Sequence, residues 1–299
     1  MFYYHAHGLG IYSEIPFPEF MKKKSELNVL IRFGKFDTKK YFRESYLRNR
    51  IKLRFISDRI FFFWQNIEIC AILGGKEIII NPQTGLEKKF LRLLILGNAM
   101  AILLHQRGRL VLHANAVKMN GHAVGFIGPS GSGKSTVSMA LQKEGYNLVS
   151  DDLLSVELSK DGLPLSFPGS PRIKLWPEVI KTICEDIESI PRSHSNTEKR
   201  SYAVNNFSES PLPLKIIYLV EESDKTSIIE SNNKNALIEF IKNSYCYPMF
   251  NNEELSQNFS SCSQLSNKVF FKTLKVKRSS DGFIELVKAI ENDLSNLIL

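Results

Sequence analysis

The residues most able to do chemistry are Gly128-Pro129-Ser130-Gly131-Ser132-Gly133-Lys134-Ser135, which carry the pattern G-x-x-x-x-G-K-[ST] in full, with Thr136 next in line. The chemistry is polyphosphate binding. Glycines let the backbone curl until successive N–H groups aim at phosphate oxygens, and a helix starting near Gly133 adds its positive end. Lys134 can reach the outer phosphates, and Ser135 can give an oxygen to Mg²⁺. ATP and Mg²⁺ are the predicted cofactors. The candidate nucleotide contacts are Gly128, Ser130, Gly131, Ser132, Gly133, Lys134, Ser135 and Thr136.

A second signal is Asp151-Asp152, 17 and 18 positions beyond Lys134. A strand, loop, helix and strand in succession predict a right-handed crossover between neighbouring parallel strands. The carboxyl end of the second strand then lies beside the phosphate loop, where open α/β sheets bind ligands. One carboxylate can orient the metal or its waters, and the other can take a proton from an attacking hydroxyl. His113 is expected on the strand paired to the one feeding the loop, with Leu112 and Ala114 facing the other way. Facing Asp152, it could tune or hold that carboxylate. Arg172, Lys174, Lys199 and Arg200 follow, and a loop-borne arginine is needed to spread charge on a transferred phosphoryl group; Arg172 and Arg200 are the candidates.

The elements that must position these residues are legible in outline. "LVLHANAVKMNGHAVGFIGPSG" has two apolar alternating runs around Asn120-Gly121, a strong hairpin signal, and its second strand runs into the glycine loop. "KSTVSMALQKEG" then reads as a helix and "YNLVSDDLLSVEL" as strand. Residues 1–85 are strand-rich, dense in β-branched and aromatic residues, with Gly74-Gly75 as a turn. "NPQTG" (81–85) punctuates the chain, and a helix over Leu86–Gln106 follows. This organisation divides the chain into a small strand-rich N-terminal domain (1–85) and an ATP-binding catalytic domain (86–299). Further on, "FPGSPRIKLWPEVI" reads as a proline-rich loop entering a helix near Glu178, and "IESIPRSHSNTEKRSYAVNN" as a mobile polar loop. "LPLKIIYLVEE" and "KVFFKTLKVKR" read as strands, and "NALIEFIKNSYCY" and "GFIELVKAIENDLSNLIL" as helices.

Composition narrows the class. In 299 residues, 43% hydrophobic and 23% charged content is that of an ordinary globular chain with room for a core. Four cysteines (Cys70, Cys184, Cys246, Cys262) lie far apart with no C-x-x-C pair, which argues against a zinc site or disulfide framework and predicts reduced thiols in a cytoplasmic protein. "MFYYHAHGLGIYSEI" lacks the basic and apolar regions of a secretory signal, and the longest apolar run, Leu93–Leu104, is too short to span a bilayer, so no membrane partner is expected. Of the net charge of +8, +7 falls in residues 1–60, with 13 Lys/Arg against 6 Asp/Glu. These charges are spread among apolar residues, a solvated basic face or one that attracts an acidic peptide rather than nucleic acid.

The segment His113–Asp152 resembles the catalytic domain of HPr kinase/phosphorylase. In that family a strand histidine, a hairpin entering the phosphate loop, "GKS" and an Asp-Asp pair occur in this order. The spacings of 21 residues from His113 to Lys134 and 18 from Lys134 to Asp152 match its pattern. More of the chain, through "HGLGIYSEIPFPE", "VLHANAV", "FPGSPRIKLWP", "EKRSY" and "PLKIIYLV", is similar to a divergent branch encoded with peptide-maturation genes. That branch includes kinases of the C-terminal serine of lasso-peptide precursors. The resemblance implies an α/β fold, a P-loop kinase core with a mixed sheet. It makes Asp152 the general base for a serine hydroxyl, His113 its partner, Lys134 the neutraliser of the transferred phosphoryl group, and Ser135 with Asp151 the metal-side residues. It also implies a peptide or protein acceptor and, because HPr kinases form rings, a homo-oligomer. The chain departs from HPr kinase at Thr136, where the family has an acidic residue. It departs again where the family has Glu-Ile-Arg-Gly: Arg172 can stand for the arginine, but Glu178 is not a secure match for the glutamate, which leaves a second metal ligand open.

Two other readings use the same residues. One is a small-molecule kinase acting on free serine or a sugar acid. The other is a nucleotide switch that hydrolyses ATP or does no chemistry. The first 85 residues are expected to recognise a peptide by adding it to a sheet edge.

Overall fold

The computed structural model describes residues 1–37, 43–47, 51–56, 58–159, 161–181, 187–195, 197–245, 247–249, 251–277 and 282–297. It is a mixed α/β protein with two large mixed sheets. The first sheet is built from β1 (Phe2–Ala6), β2 (Leu9–Ser13), β3 (Met21–Lys22), β4 (Leu27–Phe33), β5 (Arg43–Leu47), β6 (Ile51–Ile56), β7 (Arg59–Trp64), β8 (Ile67–Leu73) and β9 (Glu77–Ile80). Its order is β3-β1-β2-β4-β9-β8-β7-β6-β5. Strict alternation makes this sheet one-sided where it can be read most clearly: in β6 Ile51, Leu53 and Phe55 are buried while Lys52 and Arg54 are not.

The helical segment after residue 85 is α1 (Lys88–Leu94), a π turn (Ile95–Ala99) and α2 (Met100–Gln106). Its buried residues Leu94, Ile95, Ala99, Met100, Ile102 and Leu103 share one apolar cluster with Ile11, Ile31, Leu53, Phe62 and Ile72 of the first sheet. The chain therefore leaves the first sheet near residue 85, but the helix returns to cover it.

The second sheet follows: β10 (Leu110–Leu112), β11 (Asn115–Met119), β12 (His122–Ile127), α3 (Lys134–Lys143), β13 (Asn147–Ser150), β14 (Leu154–Leu158) and β15 (Pro164–Phe167). Next are β16 (Arg172–Leu175), α4 (Pro177–Ile180), β17 (Arg200–Ala203), β18 (Leu212–Ser223), β19 (Ser227–Glu230), α5 (Asn233–Lys242), α6 (Asn252–Ser266), β20 (Phe270–Lys277) and α7 (Gly282–Leu297). The strand order is β10-β14-β15-β18-β12-β11-β13, with β20 parallel to β18 and β19 antiparallel to β20; β16 and β17 form a separate pair. Asn120 and Gly121 both have positive φ, 49° and 79°, so the β11–β12 hairpin turns as type I′.

Three expectations need correction. First, β13 is not the neighbour of β12: both pair with or flank β11, so the hairpin strand separates the two ends of the crossover. Second, His113 is not on a strand but at the bend between β10 and β11, where its N–H donates to the carbonyl of Asn243 at 2.8 Å. Third, the polar stretches expected as loops contain the β16–β17 pair, in which Arg172 faces Ala203 and Leu175 faces Arg200. Helix α6 had no counterpart in the sequence reading, although Asn251 and Glu254 form a full capping box at its start. Cys70 and Cys262 are free and buried; Cys184 and Cys246 lie outside the described residues. No described helix is long and apolar enough to cross a membrane.

The two sheets meet at the β1–β2 turn. His7 has φ 52° and Gly8 φ 68°; the His7 N–H donates to the Pro168 carbonyl at 2.7 Å, and Arg109 donates to the His7 carbonyl while stacking on Phe167, 3.9 Å from the ring centre. A Cβ on Gly8 would lie 2.6 Å from the Phe167 ring. Gly8→Ala combines a strained left-handed φ with that collision, so it should lower stability by about 1–3 kcal/mol in urea unfolding. A change under about 0.5 kcal/mol, the range of an ordinary surface substitution, would mean the turn is not docked as described.

Candidate active site

The glycine loop leaves the carboxyl end of β12 and ends at α3, as a loop must if it is to present N–H groups to a ligand. Gly128, Gly131 and Gly133 have φ of 142°, 90° and 103°, values closed to most side chains. At Gly128 space is short as well: an added Cβ would come within 2.9 Å of both Ser132 Oγ and the Val220 carbonyl. Lys134, buried at the start of α3, donates to the carbonyls of Gly128 at 2.7 Å and Pro129 at 3.0 Å. Burial lowers the pKa of its ammonium, an effect that Asp152 partly offsets. Ser130 to Thr136 line a cavity of about 530 Å³. Its far wall is apolar, made by Leu175, Trp176, Val179, Val276 and Phe283. Trp176 is exposed, with Lys199 Nζ 5.3 Å from its ring centre. Glu178, in the first turn of α4, lines the same cavity.

Asp151 and Asp152 sit just beyond β13, at the end of the sheet where the loop lies. Asp151 is a sink for donors. Asn115 Nδ2 donates to its Oδ1 at 2.8 Å, Ser135 Oγ approaches the same oxygen at 3.3 Å, and the Lys174 N–H donates to Oδ2 at 2.9 Å. Burial and the charge of Asp152 nevertheless push its pKa up. Asp152 has φ 64°, a left-handed conformation that costs a non-glycine residue about 1 kcal/mol. Its N–H donates to Asn115 Oδ1 at 3.2 Å, and a hydrogen bond of that kind is worth about 1 kcal/mol, enough to offset the strain. Burial alone would raise the pKa of Asp152. The Lys174 ammonium, 3.0 Å from Oδ2, outweighs it together with His113 and Lys199, so Asp152 is held below the usual carboxylate range.

His113 Nε2 is 4.0 Å from Asp152 Oδ1, an ion-pair distance when the ring is protonated but too long for a hydrogen bond. Tyr245 stacks on His113 with centroids 6.2 Å apart and donates to Asn98 Oδ1 at 3.2 Å. Asn98 lies in the π turn of the helix over the first sheet, and such turns recur at functional sites because they re-aim side chains.

The structure brings Lys134, Ser135, Asp151, Asp152 and His113 together at the loop. It separates the two arginines. Arg200 is buried and donates to the Ile190 carbonyl at 2.8 Å and Glu188 at 3.0 Å, and it lines neither cavity, so it cannot serve a transferred phosphoryl group without breaking those contacts. Arg172 lines a second cavity of about 430 Å³ on the other side of Asp152. Three residues, His113, Asp152 and Lys174, line both cavities. Sequence reasoning missed Asn115 and undervalued Lys174. The signals were an asparagine inside the apolar run "LHANAV" and the two-residue spacing of Arg172 and Lys174, which on a strand puts both on one face.

Mg²⁺ fits the donor set in a limited sense. Ser135 Oγ and Asp151 Oδ1 are hard oxygen ligands 3.3 Å apart, and the raised pKa of Asp151 marks negative charge that a cation would relieve. Among the described residues no group of three or more His, Cys, Asp or Glu forms a protein-only metal cage.

No family model matches the chain, and no curated protein matches it. Among solved structures it is similar to the Hpr(Ser) kinase/phosphatase from Coxiella burnetii, at 13% identity and a TM-score of 0.32, over 63% of this chain and 99% of that one. At that score function has to be argued from the site's own geometry.

His7 closes the second cavity from the first sheet. It is buried, and burial together with Arg109 lowers its pKa to about 3, against about 6.5 in an unfolded chain. Between those values the unfolded state binds the proton and the folded state does not, so stability falls as pH drops from about 6.5 toward 3. Wild type should therefore lose up to about 2 kcal/mol more than His7→Gln between pH 7 and pH 5 in urea melts, an equal loss in both proteins ruling this out.

Proposed function

We propose that the chain is an ATP-dependent serine kinase whose acceptor is a ribosomally made peptide precursor of the lasso-peptide type, phosphorylated on its C-terminal serine. The observation that carries the reading is the position of Asp152, with His113 and Lys174, on the wall common to the glycine-loop cavity and the second cavity. A carboxylate between two cavities, one with a phosphate-binding loop and one without, is what transfer from nucleotide to a separate acceptor requires.

In this reading the loop N–H groups and Lys134 bind the phosphates, and the apolar wall with Trp176 takes the base. Ser135 and Asp151 would hold Mg²⁺, which when bound neutralises phosphate charge and favours the departure of ADP. Asp152 orients the serine hydroxyl and accepts its proton as the new O–P bond forms and the bond to ADP breaks. A carboxylate held below its usual pKa is a weak base, but the loose transition state of phosphoryl transfer asks for proton removal late. Lys174, one step from both carboxylates, is available to shift toward the transferred group. His113, stacked on Tyr245, keeps Asp152 in position.

The N-terminal region is proposed to serve peptide recognition: His7 of the β1–β2 turn and Pro18, Glu19 and Phe20 of the β2–β3 connection all line the second cavity. The division at residue 85, a cytoplasmic location and a homo-oligomer rest on the sequence and its family resemblance. A kinase of free serine or a sugar acid would use the same geometry.

Asp152→Asn should keep nucleotide affinity and lose phosphoryl transfer by about 10²–10⁴-fold, because only the proton acceptor is removed. The check is mass spectrometry of serine-terminated peptides incubated with ATP and Mg²⁺, beside a nucleotide titration. Transfer at wild-type rate by Asp152→Asn would reject this mechanism.

A further inference from the structure

The second cavity brings together two motifs that nucleotide chemistry does not use. "HGLGIYSEIPFPE" supplies His7, Pro18 and Glu19, and "FPGSPR" supplies Gly169, Ser170 and Arg172. They meet through the docked β1–β2 turn: an added Cβ on Gly169 would lie 3.2 Å from His7 Cε1. The cavity's cations are unequally matched. Arg92 is paired with Glu19 at 3.0 Å, Arg192 with Glu198 at 3.0 Å and Lys174 with Asp152 at 3.0 Å, whereas Lys89, also in the lining, forms no ion pair among the described residues. Arg172 has no carboxylate partner among the described residues. Its guanidinium is steadied by the Pro18 carbonyl at 3.3 Å and by Ser201 at 3.5 Å, neutral acceptors at the long end of hydrogen bonding. A second group is also unsatisfied: the His7 ring lines the cavity, 97% buried by its 3% exposure, and its Nδ1 has no partner.

Position defines what Arg172 could bind. It precedes Lys174 by two residues on β16, so the two side chains leave the same face about 7 Å apart. Lys174 holds Asp152. An acceptor whose hydroxyl meets Asp152 therefore has Arg172 on the same face of β16 as the lysine that holds Asp152, and a serine with a hydrogen bond of about 3 Å at its hydroxyl and another at its carboxylate spans a distance of the order of that strand spacing. A guanidinium offers a planar two-pronged match to that group.

We propose that this cavity is a subsite for a hydroxy-carboxylate, with Arg172 pairing with the carboxylate and thereby setting the hydroxyl at Asp152. The assignment rests on the kinase reading for the hydroxyl's fate, but not for binding. It moves Arg172 from the transferred phosphoryl group to the acceptor. The carboxylate could be the free end of a peptide that finishes in serine or that of a small hydroxy acid, and the chemistry recognised is the same.

The test uses the full-length protein with Mg²⁺ and a non-hydrolysable ATP analogue, titrated calorimetrically. The probes are acetyl-Ala-Ala-Ser as free acid, the same peptide as amide, free serine and glycerate. A free-acid probe should bind about tenfold or more tighter than the amide, the effect of one charge-assisted hydrogen-bond pair. Arg172→Gln should reduce that preference to under about twofold and Arg172→Lys restore part of it, with analogue affinity unchanged as the control for folding. Preference for the acid peptide over serine and glycerate identifies a peptide end, and the reverse identifies a small hydroxy acid; both support the subsite. Equal binding of acid and amide, binding of none of the probes, or a preference that survives in Arg172→Gln overturns it. Replacing the analogue with ATP separates the two ideas. Acid preference without transfer keeps the subsite and rejects the kinase, whereas equal kcat/KM on acid and amide rejects the subsite and keeps the kinase.

Discussion

Two carboxylates adjacent in sequence and both partly buried cannot share one environment without one of them taking up a proton. Asp151 and Asp152 escape that by facing different partners. Asp151 is turned to Asn115, Ser135 and a backbone N–H, all dipoles, while Asp152 is turned to the full charge of Lys174. The left-handed turn at Asp152 is what points the two side chains apart, and Asn115 holds that turn by accepting from one residue and donating to the other. One asparagine with no exposure thus sets the two carboxylates in different surroundings.

Asn115 can do this because the hairpin strand β11 lies between the two strands of the crossover. Had β13 paired directly with β12, Asp151 would sit beside the loop with no side chain interposed. Inserting β11 brings Asn115 to the space between Ser135, Ser138 and the aspartates, where its amide reaches all of them within 3.3 Å. The antiparallel hairpin is therefore part of the site and not only a way into the loop.

The second cavity is a product of docking. Its walls come from the β1–β2 turn, the helix over the first sheet and the β16–β17 pair, segments distant in sequence. Arg109 fixes the docking by spanning the His7 carbonyl, Glu157 and the Phe167 ring. The helix that packs on the first sheet also opens its π turn toward the cavity, so the covering of one sheet and the shaping of the cavity wall are the same event.

Local chemistry made much of this readable beforehand. Gly128-to-Thr136 can do little but curl its backbone ahead of a helix, Asn120-Gly121 can do little but reverse a chain, and the apolar rhythm of β12 and β18 required burial. What composition could not show was which polar groups would face one another. Arg172 and Arg200 look alike in sequence, yet one ends at a cavity and the other against Glu188, because β16 and β17 pair antiparallel in a stretch whose polarity reads as loop. His7 likewise carries no local mark, and Asn115 is marked only as a polar residue in an apolar run, since their partners lie tens of residues or more away. Short-range patterns bound to backbone geometry were enough to mark the glycine loop, the hairpin feeding it and the acidic pair that follows. Which carboxylate meets a lysine, which arginine has no carboxylate partner among the described residues and where the second cavity opens depend on strand order and on the docking of two sheets, which no local pattern encodes.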